Sequence, residues 1–186
     1  MTLASKITFS RIILAPVFFI IFLLPGKNAW TVPVLWFIYI VSELSDMLDG
    51  IIARKRNEVS DFGKLFDPFA DTFMQLTCFF CFVVDGIFPA ILFLLVIYRE
   101  FSILFIRNLM LKKGITLGAR MSGKVKTVFY IFAGGAALFT DSLQRLAVLE
   151  NLIPTFKIGT LIIFIISVII SIVSFIDYMV TYRNNK

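Results

Sequence analysis

Positions 155–182 hold only two charged residues, Lys157 and Asp177, in a run dominated by isoleucine, valine, phenylalanine and serine with no alternation of polar and apolar side chains. In an apolar medium a backbone must satisfy its own amides, so a spanning segment is either an α-helix or part of a closed barrel. Barrel strands alternate with period two, and this run does not. Crossing the hydrocarbon core takes about 20 apolar residues, and six runs approach that length: 7–25, 30–53, 66–84, 88–111, 125–140 and 155–182. The fifth is the shortest and contains Gly134 and Gly135. The expectation is an all-α integral membrane protein, a bundle of six transmembrane helices forming a single domain over 1–186.

Basic residues orient such a bundle. With both termini cytoplasmic, thirteen of the 18 lysines and arginines fall on the inner side, against Lys27, Arg145 and Lys157 outside, with Arg99 and Arg107 inside the fourth run. This predicts a multi-pass protein of the cell membrane with its polar inner loops, and any active site there, facing the cytoplasm. It also accounts for the net charge of +6 without a nucleic-acid partner. The first run lacks a small-residue cleavage pattern and is expected to be retained. Around it, "SKITFSR" predicts an interfacial N-terminal helix with Lys6 and Arg11 toward lipid headgroups. The chain has no histidine, which removes every imidazole-based mechanism. Cys78 and Cys81 read as small apolar side chains packed in a bundle. The connections at 26–29 and 85–87 are short, whereas 141–154 reads as a longer outer loop.

The chemical signal lies in "SDMLDGIIARKRNEVSDFGKLFDPFADTF", positions 45–73. On a helix Asp46 and Asp49 lie about 60° apart, and Asp67 and Asp71 about 40° apart, one turn along. The polar linker between the two runs lets both pairs converge at the cytoplasmic end. Helix capping or pairing with Arg54, Lys55, Arg56 and Lys64 is the ordinary explanation for such carboxylates, and four on shared faces exceed what capping requires. Adjacent like charges in an apolar bundle need cations. Two divalent ions balance four carboxylates, and an all-oxygen donor set favours Mg²⁺, Mn²⁺ or Ca²⁺ over zinc. Gly50 and Ala53 share the face of Asp46 and Asp49 and leave room for a flat ligand, with Arg54 and Lys64 available to anionic oxygens. Together these features describe a two-metal site for a phosphorylated substrate.

Asp46-x2-Asp49-Gly50-x2-Ala53-Arg54-x8-Gly63-x3-Asp67-x3-Asp71 resembles the signature of the CDP-alcohol phosphotransferases at every fixed position. That resemblance implies a six-span enzyme that transfers a substituted phosphate from a CDP-linked donor to an alcohol and releases CMP. It further implies that Asp46, Asp49, Asp67 and Asp71 ligate two divalent cations, Mg²⁺ or Mn²⁺, with Asp71 also the general base. Gly50 and Ala53 would then make space for cytidine, and Arg54 and Gly63 would lie near the nucleotide. A homodimer is expected on the same resemblance.

Outside the signature, "SKITFSRIILAPVF", "YREFSILFIR" and "GKVKT" are similar to bacterial phosphatidylglycerophosphate synthases, which join CDP-diacylglycerol to glycerol 3-phosphate. Arg107, Lys124 and Lys126 suit an acceptor that carries its own phosphate, although Lys124 and Lys126 also serve as inner flanking charge. Arg99 beside Glu100 reads as an internal ion pair. Thr72 departs from the lysine those synthases carry after the last aspartate, and Glu43 from their small or hydroxyl residue in the second span. Inositol phosphate, phosphatidylglycerol and serine are the alternative acceptors. A small cation transporter is the rival from another class, but transport carboxylates belong near the midplane, and these gather at one end beside basic loops.

Overall fold

A computed structural model describes the backbone of residues 3–56, 61–112 and 121–184, and the side chains of 8–45, 66–110 and 121–183. Among the described residues there are six α-helices and no strands: α1 (Leu3–Phe22), α2 (Thr31–Arg56), α3 (Asp61–Val84), α4 (Ala90–Lys112), α5 (Met121–Leu146) and α6 (Ile153–Asn184), with a 3₁₀ turn at Glu150–Leu152 before α6. Each helix covers one of the six apolar runs. The stretch Glu150–Arg183 is long and apolar enough to cross a bilayer, and α1 and α2 carry the shorter apolar stretches Thr8–Phe22 and Thr31–Ser45.

Helix α6 is inverted relative to an amphipathic helix in water. Its buried face carries Thr160, Ser167, Ser171 and Ser174 beside Phe164 and Val168, while Ile158, Ile162, Ile169, Val173, Ile176 and Val180 are exposed. Hydroxyls inside and branched aliphatics outside are what a hydrocarbon solvent selects, because lipid offers apolar side chains no penalty and polar ones no partner. In water the same exposed face would be an association hazard.

Turns are made where sequence permits. Gly86 takes a left-handed φ of 70° after α3, which lets the amides of Ile87 and Phe88 return to the Phe82 carbonyl at 2.9 and 3.1 Å, a glycine-terminated helix end. Gly26, in the connection between α1 and α2, also takes a left-handed φ, of 91°.

The chain forms two compact units, Met1–Cys81 with Ser142–Val148, and Phe82–Asp141 with Leu149–Lys186. In the first, Ala15, Phe18, Phe22, Leu35, Ile38, Met74, Cys78, Phe79 and Cys81 form the buried interior. Both cysteines are free thiols there, as expected of packing residues. In the second, Phe88 stacks on Phe164, and Ile103, Met110 and Tyr178 cluster near the far end of α4.

Two expectations give way at the end of α5. The helix runs unbroken through Gly134 and Gly135 to Leu146, so half of the expected loop 141–154 is helical. The cause is a buried face that alternates apolar and polar members: Ala137, Leu138, Asp141, Ser142 and Arg145 recur every three or four residues. Arg145, counted among the outer basic residues, is buried rather than exposed in a loop. Its guanidinium donates to the Phe22 carbonyl at 2.8 Å and to Thr31 Oγ1 at 3.0 Å, and lies over the Phe22 ring. It thereby caps the C-terminus of α1, whose last carbonyls lack helical partners. Trp36 Nε1 donates to Ser142 Oγ at 3.0 Å, and Lys27 Nζ to Gln144 Oε1.

Arg145→Ala removes the guanidinium that donates to the Phe22 carbonyl and to Thr31 Oγ1 in an apolar setting and is expected to cost about 2 kcal/mol. The thermal unfolding midpoint in detergent should fall by several degrees; an unchanged midpoint would mean that this cap contributes nothing.

Candidate active site

The buried stripe of α1 is Thr8, Arg11, Ala15, Phe18 and Phe22, spaced three and four residues apart. Its last three members are apolar and its first two are polar. On α3, Ala70, Met74, Cys78 and Cys81 are buried in the same rhythm, and Asp67 and Asp71 stand on that side of the helix at its N-terminal end. Both stripes are apolar along most of their length and polar at one end, where α1 and α3 meet through their polar members.

They do so in register. Thr8 Oγ1 donates to Asp67 Oδ1 at 2.7 Å, and the Arg11 guanidinium forms an ion pair with Asp71 Oδ1. The Arg11 side chain is 2% exposed and that of Asp71 39% exposed, so the cation is held in the interior while the carboxylate faces outward. Both contacts use Oδ1. A carboxylate offers about four lone-pair sites over two oxygens, which leaves capacity for a cation on each aspartate. The donor set is all oxygen, in keeping with Mg²⁺ or Mn²⁺.

Asp46, Asp49, Gly50, Ala53 and Arg54 lie on the helical backbone of α2, and Gly63 on that of α3; their side-chain surroundings lie outside the described residues. Among the described residues no group of three or more acidic, histidine or cysteine side chains forms a metal cluster, since only Asp67 and Asp71 of the four aspartates have described side chains.

Arg11 does not point to lipid headgroups, contrary to the expectation for "SKITFSR". It is buried as the partner of a carboxylate 60 positions away. Sequence reasoning weighed only the neighbouring Arg54, Lys55, Arg56 and Lys64 as side-chain partners of the aspartates, set them aside in favour of divalent ions, and missed Thr8 and Arg11. The available signal was their placement: two polar residues three apart, continuing the period of Ala15, Phe18 and Phe22.

The acceptor-side candidates all belong to the second unit. Lys126 donates from Nζ to Glu100 Oε1 at 3.1 Å and sits over the Tyr130 ring at 4.4 Å. Glu100 also receives both bonds of Arg99 Nη1, at 2.8 and 2.9 Å, so the expected internal ion pair is present and extends to a third charge. Arg99 continues to the Ser171 carbonyl and Ser174 Oγ, each at 3.3 Å, and Tyr130 donates to Ser171 Oγ at 2.7 Å. Two cations and one anion leave this buried group with a net positive charge. Arg107 and Lys124 are exposed. Lys124 lies two residues from Lys126, about 200° around the helix, so α5 presents the two lysines on different faces.

Comparison with known proteins fits these observations. The model of the CDP-alcohol phosphatidyltransferase family matches residues 1–182. The chain is 35% identical over 161 residues to a Treponema pallidum protein named "CDP-diacylglycerol--glycerol-3-phosphate 3-phosphatidyltransferase", covering 84% of this chain and 72% of that one. It is 35% identical over 146 residues to a Bacillus subtilis protein of the same name, covering 73% and 76%. A Mycobacterium tuberculosis protein named "Probable phosphatidylglycerophosphate synthase" is 23% identical over 178 residues, covering 95% and 79%. An almost full-length family match, the aspartate signature and relatives at this level of identity lead to one conclusion: the chain belongs to the CDP-alcohol phosphatidyltransferase family.

Proposed function

We propose that this protein is an integral membrane enzyme that transfers the phosphatidyl group of CDP-diacylglycerol to sn-glycerol 3-phosphate, producing phosphatidylglycerophosphate and CMP. The reaction class is carried by the Asp67–Asp71 pair one turn apart on α3, inside the family's signature. The acceptor rests on the names of the relatives, which several bacteria share. The topology is a six-span bundle with both termini in the cytoplasm, acting as one domain in the cell membrane with its site on the cytoplasmic side. The inverted polarity of α6 and the internal binding of Lys27 and Arg145 support it, because two of the three basic residues assigned outside serve internal contacts. The chain pairs as a homodimer on family resemblance.

Asp46, Asp49, Asp67 and Asp71 hold the two divalent cations. When bound, Mg²⁺ or Mn²⁺ supplies positive charge at the donor pyrophosphate and at the departing CMP. The chain's own residues do the rest. Gly50 and Ala53 leave space for cytidine, and Arg54 and Gly63 border the nucleotide. Asp71 takes the proton from the glycerol 3-phosphate hydroxyl as its oxygen bonds to the lipid-side phosphorus, and the bond from that phosphorus to the bridging oxygen of CMP breaks. Arg107, Lys124 and Lys126 attract the acceptor's phosphate. Lys126, held by Glu100, is the most rigidly placed of the three.

Purified protein with Mg²⁺ should release CMP when both CDP-diacylglycerol and glycerol 3-phosphate are present. Release with inositol phosphate, phosphatidylglycerol or serine instead would move the acceptor and keep the chemistry, and no release with any of them would sink the proposal. Asp71→Asn should reduce turnover by at least about a thousandfold through loss of the base and a ligand; residual turnover within tenfold of wild type would take Asp71 out of the chemistry. Glu100→Gln leaves Arg99 and Lys126 without their shared anion. It is expected to lower the unfolding midpoint and raise KM for glycerol 3-phosphate more than KM for the donor, and equal effects on both substrates would reduce Glu100 to a packing role.

A further inference from the structure

We infer that Arg11 is a positioning residue that couples cation loading of the aspartates to the arrival of the anionic donor. The inference rests on the reading that Asp67 and Asp71 are cation ligands. Its basis is the burial of Arg11 on the apolar stripe of α1 and its ion pair with the more exposed Asp71. A guanidinium keeps its proton at any working pH, and a side chain buried beside Ala15 and Phe18 cannot move its charge into water. Arg11 is therefore a fixed positive charge directly behind a cation ligand.

The charge balance gives it a role. Four carboxylates and two divalent ions sum to zero, so Arg11 adds one positive charge to the loaded site beyond that of Arg54 beside the nucleotide. Cations entering without a donor compete with Arg11 for Asp71 and are repelled by it. A donor pyrophosphate brings about two negative charges at neutral pH, after which the same arginine is attracted to the filled site. Arg11 thus opposes metal alone and favours metal together with pyrophosphate. By linkage, each ligand then raises the affinity of the other by the same factor. Thr8 holds Asp67 through a neutral hydroxyl; it orients that carboxylate and carries no such charge dependence.

The test is Mn²⁺ affinity of the full-length protein in lipid nanodiscs, measured by calorimetry with and without CDP. Relative to wild type, Arg11→Gln should bind Mn²⁺ about tenfold more tightly in the absence of CDP, and the enhancement of Mn²⁺ affinity by CDP should shrink by about the same factor. Thr8→Val should shift both affinities together and leave the enhancement unchanged. Equal or weaker Mn²⁺ binding by Arg11→Gln, with the CDP enhancement intact, would overturn the inference. Should the glutamine variant fail to fold, Arg11→Lys, which keeps the charge, should retain the enhancement within about twofold, and its loss would count against the role of charge. Asp71→Asn separates the two claims. If that variant binds Mn²⁺ as wild type does, the reading of the site itself has failed; if it binds weakly and Arg11→Gln is unchanged, only the role of Arg11 has.

Discussion

A buried guanidinium against a half-exposed carboxylate, Arg11 to Asp71, ties the first helix of this protein to its acidic site. In an apolar bundle the buried guanidinium is not tolerable alone, because removing its carboxylate partner leaves it uncompensated at a cost of about 3–5 kcal/mol. The pair, with Thr8 on Asp67, therefore fixes the register of α1 against α3: sliding α1 by one turn would set Arg11 against Met74 in one direction and Ala15 against Asp71 in the other. The apolar stripes supply area, and the two polar contacts select the alignment.

The same rule organises the second unit. Glu100 answers both Arg99 and Lys126, and the Ser171 carbonyl and Ser174 hydroxyl complete Arg99, with Tyr130 donating to Ser171 Oγ. Most of these partners lie on the buried face of α6, which leaves its isoleucines and valines for lipid. Two of the polar networks among the described residues differ in character: one is built around acidic residues that suit cations, the other carries net positive charge that suits a phosphate. A transferase that joins a pyrophosphate donor to a phosphorylated alcohol needs both characters.

The six helices were legible because apolar run length is a strong signal in a chain destined for lipid, and their boundaries fell within a few residues except in α5. There, Asp141, Ser142 and Arg145 read as loop because polarity was taken as exposure, and in this interior polar side chains are buried and paired. The inward burial of Arg145 and Arg11 went unread for a related reason. Flanking arginines ordinarily face headgroups or water, and the partners that draw these two inward lie 123 and 60 positions away, beyond the reach of local spacing. The aspartates were found because helical spacing is local, and a signature with fixed intervals brings them onto shared faces. The acceptor was less legible, since Lys126 owes its position to Glu100 on another helix, and since Thr72 breaks the pattern of the synthases it otherwise resembles.

The central claim is that Asp46, Asp49, Asp67 and Asp71 together hold two divalent cations. Counting Mn²⁺ by electron paramagnetic resonance, on protein in nanodiscs saturated with CDP, tests it most directly. The account predicts two ions per chain in the wild type and fewer than one per chain in Asp67→Asn/Asp71→Asn; an equal count in both proteins would contradict it.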